Sequence, residues 1–239
     1  MPKQLIKCTP HLFCVLALLC FTTMMAGCSP KKAPSQTEAA STAPISRVVV
    51  MGFKAAISEG EAPEVFRNPV TGSALMSYPV PRFAVEGLTD ELFDLVVSRK
   101  KWELAPPGQA RGVVEKILSS DSQVGMRPVK LLQEVGNTFG ADAVLTGYIY
   151  RWREREGTDF AAERPASVAF DLYLVHPADG SVIWRRNFNK TQQSLFENLL
   201  DFSTYIKSGG RWLTAGQLAI MGLNQISDQL PGPSKAPEE

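Results

Sequence analysis

Histidine and cysteine are scarce in this chain, and their positions exclude several kinds of chemistry. Its 239 residues include four cysteines and two histidines. Cys8, Cys14, Cys20 and Cys28 all lie in the first 28 residues, so the remainder has no disulfide framework and must rest on an ordinary hydrophobic core. Beyond His11 the one imidazole is His176, inside the turn-forming stretch His176-Pro177-Ala178-Asp179-Gly180. A Ser-His-Asp or Cys-His arrangement would have to use it, and a zinc site needs several such ligands. Phosphate-cradling glycine loops are also missing, since Gly209-Gly210 reads as a helix-joining turn. Charge of one sign is missing as well: 25 basic residues face 24 acidic ones, which gives no electrostatic case for nucleic acid. Asp90, Glu91 and Asp94 read as a solvated helix turn. The expectation is a non-enzyme without cofactor or metal, although paired carboxylates of the glycosidase kind leave no sequence spacing by which to exclude them.

A long hydrophobic run is absent too. The apolar stretch from Leu12 through Ala26 is shorter than the about 20 residues a membrane span requires, follows Lys3 and Lys7, and ends in small residues. Residues 1–27 therefore read as a signal peptide. Met25-Ala26-Gly27-Cys28 resembles the lipobox of bacterial lipoproteins, which implies cleavage before Cys28 and its lipidation. Ser29, where inner-membrane retention would place Asp, implies the outer membrane and a periplasm-facing domain. Residues 28–44 are rich in Pro, Ala, Ser and Thr and read as a disordered tether of roughly 50 Å at ~3.1 Å per residue.

Residues 45–231 read as one α/β domain, and 232–239 as a disordered tail. Ile45 to Phe53 is a β-branched buried strand. Ser58 to Arg82, punctuated by Pro63, Pro69, Gly72, Pro79 and Pro81, reads as an irregular loop. A helix carrying Leu88, Leu92, Leu95 and Val96 follows, then a short strand at Trp102 to Ala105 and a helix carrying Ala110, Val113, Val114 and Ile117. Pro128 opens another helix, which Gly140 caps in the left-handed conformation. Three alternating strands come next: Val144, Thr146, Tyr148, Tyr150 and Trp152 on one face; Val168, Phe170, Leu172 and Leu174; Val182, Trp184 and Phe188. The last two form a hairpin about His176 to Gly180. Two closing helices carry Leu195, Phe196, Leu199, Leu200 and Ile206, and then Leu218, Ala219, Gly222, Ile226 and Leu230. The order is β-α-β-α-α-β-β-β-α-α, a mixed sheet of about five strands with helices packed on it.

The phrase from Phe139 to Gly147, a helix end passing through Gly140-Ala141-Asp142 into an apolar strand that closes on Thr146-Gly147, resembles the corresponding turn of TolB amino-terminal-domain-like proteins. That superfamily includes the curli secretion lipoprotein and the lipoprotein activators of penicillin-binding proteins. The resemblance implies a mixed sheet with packed helices and a role in envelope assembly through protein contact.

Two segments stand out as partner-binding candidates. In the proline-rich loop these are Phe66, Met76, Tyr78 and Arg82; in the alternating stretch Arg151-Trp152-Arg153-Glu154-Arg155-Glu156 they are Arg151, Arg153 and Arg155, since Arg and aromatic residues are favoured interface anchors. The expected function is a lipid-anchored, non-enzymatic envelope assembly or regulatory factor that binds envelope proteins, in an oligomeric state the sequence leaves open. An accessory subunit of an export complex and a cell-wall hydrolase are the alternatives.

Overall fold

A computed structural model describes residues 45–99, 102–119, 126–158, 161–192 and 212–232. The signal segment, Cys28, the tether, the tail beyond Gly232 and the helix expected around Leu195 to Ile206 lie outside the described residues.

Val48, Val49 and Val50 are fully buried, so the strand that holds them, β1 (Arg47–Ala55), must be covered on both faces. Burial on both faces is the situation of a parallel strand in an α/β sheet. β1 is indeed internal and parallel to both neighbours, β6 (Glu103–Ala105) on one side and β7 (Ala143–Arg153) on the other. Beyond β7 the sheet continues antiparallel through β10 (Ser167–Val175) to β11 (Val182–Thr191), giving the order β11-β10-β7-β1-β6. Among the described residues four helices pack on it: α1 (Arg82–Arg99), α2 (Pro107–Leu118), α3 (Pro128–Thr138) and α4 (Ala215–Ser227). Within the described residues this is the expected element order.

The two faces are covered differently. α1 and α4 lie on one, where Leu88, Leu92 and Leu218 meet Val48, Leu145 and Phe170. α2 and α3 lie on the other, where Ala110, Leu131 and Val135 meet Val49, Val144 and Tyr148. The β1-to-β6 crossover thus runs over one face and the β6-to-β7 crossover over the opposite one.

The expected irregular loop from Ser58 to Arg82 is instead largely paired. β3 (Glu64–Arg67) and β4 (Ala74–Ser77) form an antiparallel hairpin, and β2 (Ile57–Ser58) pairs in parallel with β5 (Pro79–Val80). The prolines do not prevent this, because each small pair is only two strands wide and a proline is tolerated where no ladder N–H is required.

Two face assignments also change. Trp152 packs on the α1/α4 side, whereas Tyr148 and Tyr150 face the other way. The cause is a bulge: Ala169 pairs with Arg151 and Phe170 with Ile149, which leaves Tyr150 without a partner and reverses the alternation after it. A similar irregularity near the start of β11 sends Val182 to the α2/α3 face, away from Trp184 and Phe188.

The Phe139 to Gly147 phrase has the physical content expected of it. Gly140 has φ +57°; its N–H donates to the Asn137 carbonyl at 3.0 Å and that of Ala141 to the Gly136 carbonyl at 2.9 Å, the double bond of a Schellman helix end. Asp142 then accepts from the backbone N–H groups of Ser46 and Arg47, both at 2.8 Å, fixing the start of β1 against that of β7.

Candidate functional site

The β3–β4 hairpin is a sheet cover with two unlike sides. Its inner side packs on the part of the α2/α3 face near Tyr148 and Tyr150: the Phe66 ring lies 5.5 Å from that of Tyr148 and 6.2 Å from that of Tyr150. Asn68, fully buried at the end of β3, fastens it. The Asn68 amide nitrogen donates to the hydroxyls of Tyr150 (2.6 Å) and Tyr173 (3.0 Å), and its oxygen accepts from the backbone N–H groups of Val70 (2.8 Å) and Thr71 (3.1 Å). Both tyrosine hydroxyls donate in turn to the Asp171 carboxylate. Burial, with the Asp171 charge adding to it, pushes both tyrosines well above the ordinary phenol value. Every polar group in this network is engaged, which is the condition for such a network to rigidify its surroundings.

The outer side is apolar and exposed. Val65 and Met76, direct cross-strand partners on this side, are 65% and 53% exposed; Tyr78 just past β4, and Leu75, which lies opposite Phe66 on the other side, are exposed as well. A hydrogen bond from the Tyr78 N–H to the Tyr150 carbonyl (2.8 Å) holds Tyr78 beside the end of β7. There a hollow of about 330 Å³ is lined by Tyr78, Arg151, Trp152, Arg153, Ser167 and Thr191. Arg151 donates to Asn189 Oδ1 at 2.5 Å, but its Nε, Arg153 Nε and Trp152 Nε1 are buried with no hydrogen-bond acceptor among the described residues. Desolvation, and then the neighbouring Arg153 charge, lower the Arg151 pKa.

The structure therefore brings Tyr78, Arg151 and Arg153 to one hollow, while Met76 is exposed in β4, two positions before Tyr78. Phe66 is turned inward onto Tyr148 and Tyr150. Arg155 lies past the end of β7, and Arg82 opens α1 and lines a different crevice. The remaining members of the arginine-rich stretch have local duties. Glu154 accepts from the Ala215 N–H at the start of α4 (3.0 Å), supplementing the Thr214–Gln217 capping box, and Glu156 pairs with Arg164 across the small hairpin of β8 (Glu156–Gly157) and β9 (Ala162–Arg164). Asn68, Val65 and Leu75 were not singled out from sequence. Asn68-Pro69 was the available signal, a turn-forming pair next to an alternating apolar segment.

His176 forms the expected hairpin turn, with its N–H to the Ser181 carbonyl at 2.8 Å and its Nδ1 3.4 Å from Asp179 Oδ1. Hydrogen bonds from Ser181 and the nearby imidazole lower the Asp179 pKa. Among the described residues no group of three or more His, Cys, Asp or Glu side chains is placed to hold a metal ion, and no helix is long and apolar enough to cross a membrane.

No family model matches the chain, and no curated protein matches it. Solved structures do resemble it. The LpoB C-terminal domain from Salmonella enterica is 15% identical, with 64% of this chain and 88% of that one covered and a TM-score of 0.37. Lipoprotein GNA1162 from Neisseria meningitidis is 12% identical over 78% of this chain and 99% of that one, TM-score 0.41. The PelC dodecamer from Paraburkholderia phytofirmans is 13% identical over 80% and 95%, TM-score 0.42.

Proposed function

We propose that this chain is an outer-membrane lipoprotein, anchored through Cys28, whose domain binds an envelope protein as a non-enzymatic assembly or regulatory factor. The observation that carries the reading is the hollow of Tyr78, Arg151, Trp152 and Arg153 beside the exposed Val65, Leu75 and Met76. A partner that brings carboxylates or carbonyls to the half-buried guanidinium groups of Arg151 and Arg153 offsets their loss of hydration. The apolar hairpin side supplies contact area, and the Asn68 network holds it in place before docking, which lowers the entropy lost on binding. A partner segment with acidic residues flanked by apolar ones fits both features.

Crosslinking and pull-down from intact envelopes test this, comparing the parent with Arg151→Ala/Arg153→Ala and with Val65→Ser/Met76→Ser, each shown to be folded by circular dichroism. Loss of the same crosslinked partner from both variants is expected. Recovery of every partner at parental levels by both would place docking elsewhere on the domain. Cys28→Ala should leave an unprocessed or soluble chain, and unchanged membrane partition together with unchanged processing would remove the anchoring part of the reading.

A further inference from the structure

A second site lies at the carboxyl end of β1. Because α1 follows β1 on one face of the sheet and α2 follows β6 on the other, the two helices diverge there and leave a crevice, the position at which open α/β sheets hold small ligands. Its volume is about 550 Å³, within the usual range for small-molecule pockets. The first two turns of α1 and of α2 form the walls. Phe53, Val85 and Val114 make much of the surface apolar, and Lys54, Arg82 and Arg111 line it with positive charge.

The charge is poorly balanced from within. No hydrogen bond or ion pair joins the side chains of Lys54, Arg82 or Arg111 to another described residue. Two carboxylates at the rim, Glu59, which accepts from the Arg82 backbone N–H at 3.1 Å and closes the start of α1, and Glu86, face the three cations, so the lining keeps an excess of positive charge. Lys54 is half-buried in the sheet beside Tyr148, and burial lowers its ammonium pKa. An unpaired cation kept out of water is unfavourable, and a counter-ion entering the crevice offsets it.

The backbone around the crevice is also fixed. Gly52, at φ +74°, sits at a bulge in β1, and a Cβ there would stand 2.2 Å from Thr89 Cγ2. Thr89 Oγ1 accepts from the Phe53 N–H at 2.9 Å, and the Thr146 hydroxyl donates to the Gly52 carbonyl at 3.3 Å. Met51 keeps the α2/α3 side of Val49, but the bulge changes the phase of the strand after it, so that Phe53 packs toward α1 and Lys54 reaches the crevice.

We propose that this crevice binds a small organic anion, a carboxylate or phosphate head on a short apolar body, with Lys54, Arg82 and Arg111 as its charge partners. The site is separate from the docking surface and does not depend on it. The full chain in nonionic detergent is titrated with hexanoate, with butyl phosphate and with uncharged hexanamide, while the acylation rate of Lys54 is followed by peptide mass spectrometry. One or both anions should slow Lys54 acylation about fivefold or more and bind in calorimetry. Hexanoate against butyl phosphate then shows which head the site takes. Lys54→Met and, independently, Arg111→Gln should each weaken binding about tenfold, the effect of losing one charge-assisted contact of about 1.4 kcal/mol. Equal protection by hexanamide, no protection by either anion at ~10 mM, or unweakened binding in a folded Arg111→Gln chain would each overturn the proposal.

Discussion

Replacing Asn68 by Ala would test whether the docking hairpin is held by one side chain. The substitution removes four hydrogen bonds, two donated to Tyr150 and Tyr173 and two accepted from Val70 and Thr71. At about 0.5–1.5 kcal/mol each the upper figure would be about 6 kcal/mol. Two considerations reduce it. The tyrosine hydroxyls keep Asp171 as an acceptor, so neither is stranded, and the amides of Val70 and Thr71 lie near enough to the surface for water to reach them once the carboxamide is gone. What remains is the loss of the Val70 and Thr71 bonds together with a small cavity, about 2–3 kcal/mol. In a domain of this size that lowers the melting temperature by roughly 5–10 °C. Urea denaturation gives the free energy, and amide hydrogen exchange locates it: the Gly72 and Ser77 amides should exchange faster while the Leu172 amide in β10 changes only with global stability. A loss below about 0.5 kcal/mol with unaltered exchange in the hairpin would show that Phe66 packing alone holds the cover, and the argument from Asn68 would be wrong.

Two glycines should respond to alanine with opposite signs. Gly147→Ala places a Cβ 2.4 Å from Phe53 Cε1 and 2.7 Å from the Asp171 carbonyl oxygen and should cost about 1–3 kcal/mol, whereas Gly87→Ala in α1 meets nothing within 4 Å and should gain about 0.5–1 kcal/mol; like signs in urea denaturation would refute this. Alkali should unfold the domain by way of its tyrosines. Burial pushes Tyr148 up to about 12, and Tyr150 and Tyr173 are also raised from 10.0, so the unfolded chain releases these protons first and stability declines as pH rises above 10. Lys54 acts oppositely, since its pKa is lowered from 10.5 and its burial penalty fades as pH rises through that lowered value, but one lysine opposes three tyrosines. Free energies of unfolding and absorbance at 295 nm, taken together from pH 9 upward, should fall and rise in step; stability unchanged well above pH 10 would contradict it.

The sequence is readable where a local cause decides the structure. Gly140 followed by Ala141-Asp142 needs no tertiary knowledge to be a helix end, and the valines from Val48 to Val50 announce a strand covered on both faces. At Gly147 only the fold shows that Phe53 and the Asp171 carbonyl fill the space a side chain would take. Strand phase was less readable. Alternation counted from Val144 runs correctly to Tyr150 and fails at Trp152, because one unpaired residue in β7 is set by pairing with a strand that comes later in the chain. The region from Ser58 to Arg82 misled for a related reason. Its prolines argue against strands in a wide sheet, but here the pairs are short, and what fixes them is a buried contact from Asn68 to tyrosines 82 and 105 positions away. The crevice at Lys54 left no motif at all. Its three cations come from three elements, and a single strand bulge determines that Lys54 reaches it.

The position of β1 has a kinetic consequence. It is the first strand of the described domain and an internal one, and its anchoring bonds reach across 56 positions to Glu103 and 95 to Asp142. Closing such loops must precede the reward of pairing, so β1 cannot be seated early, whereas the β10–β11 hairpin can close locally across His176 to Gly180. The folding chain therefore spends its first stage with an unpaired β-branched segment available to any other strand edge, the circumstance in which aggregation competes with folding. Pulse-labelled amide exchange during refolding should show Leu172 protected before Val49, and simultaneous protection would mean that the sheet forms in one step. Until residues as far as β7 are available, the apolar run from Ile45 to Phe53 is a segment for a holding chaperone to occupy, and its release is timed by the arrival of the strands on either side.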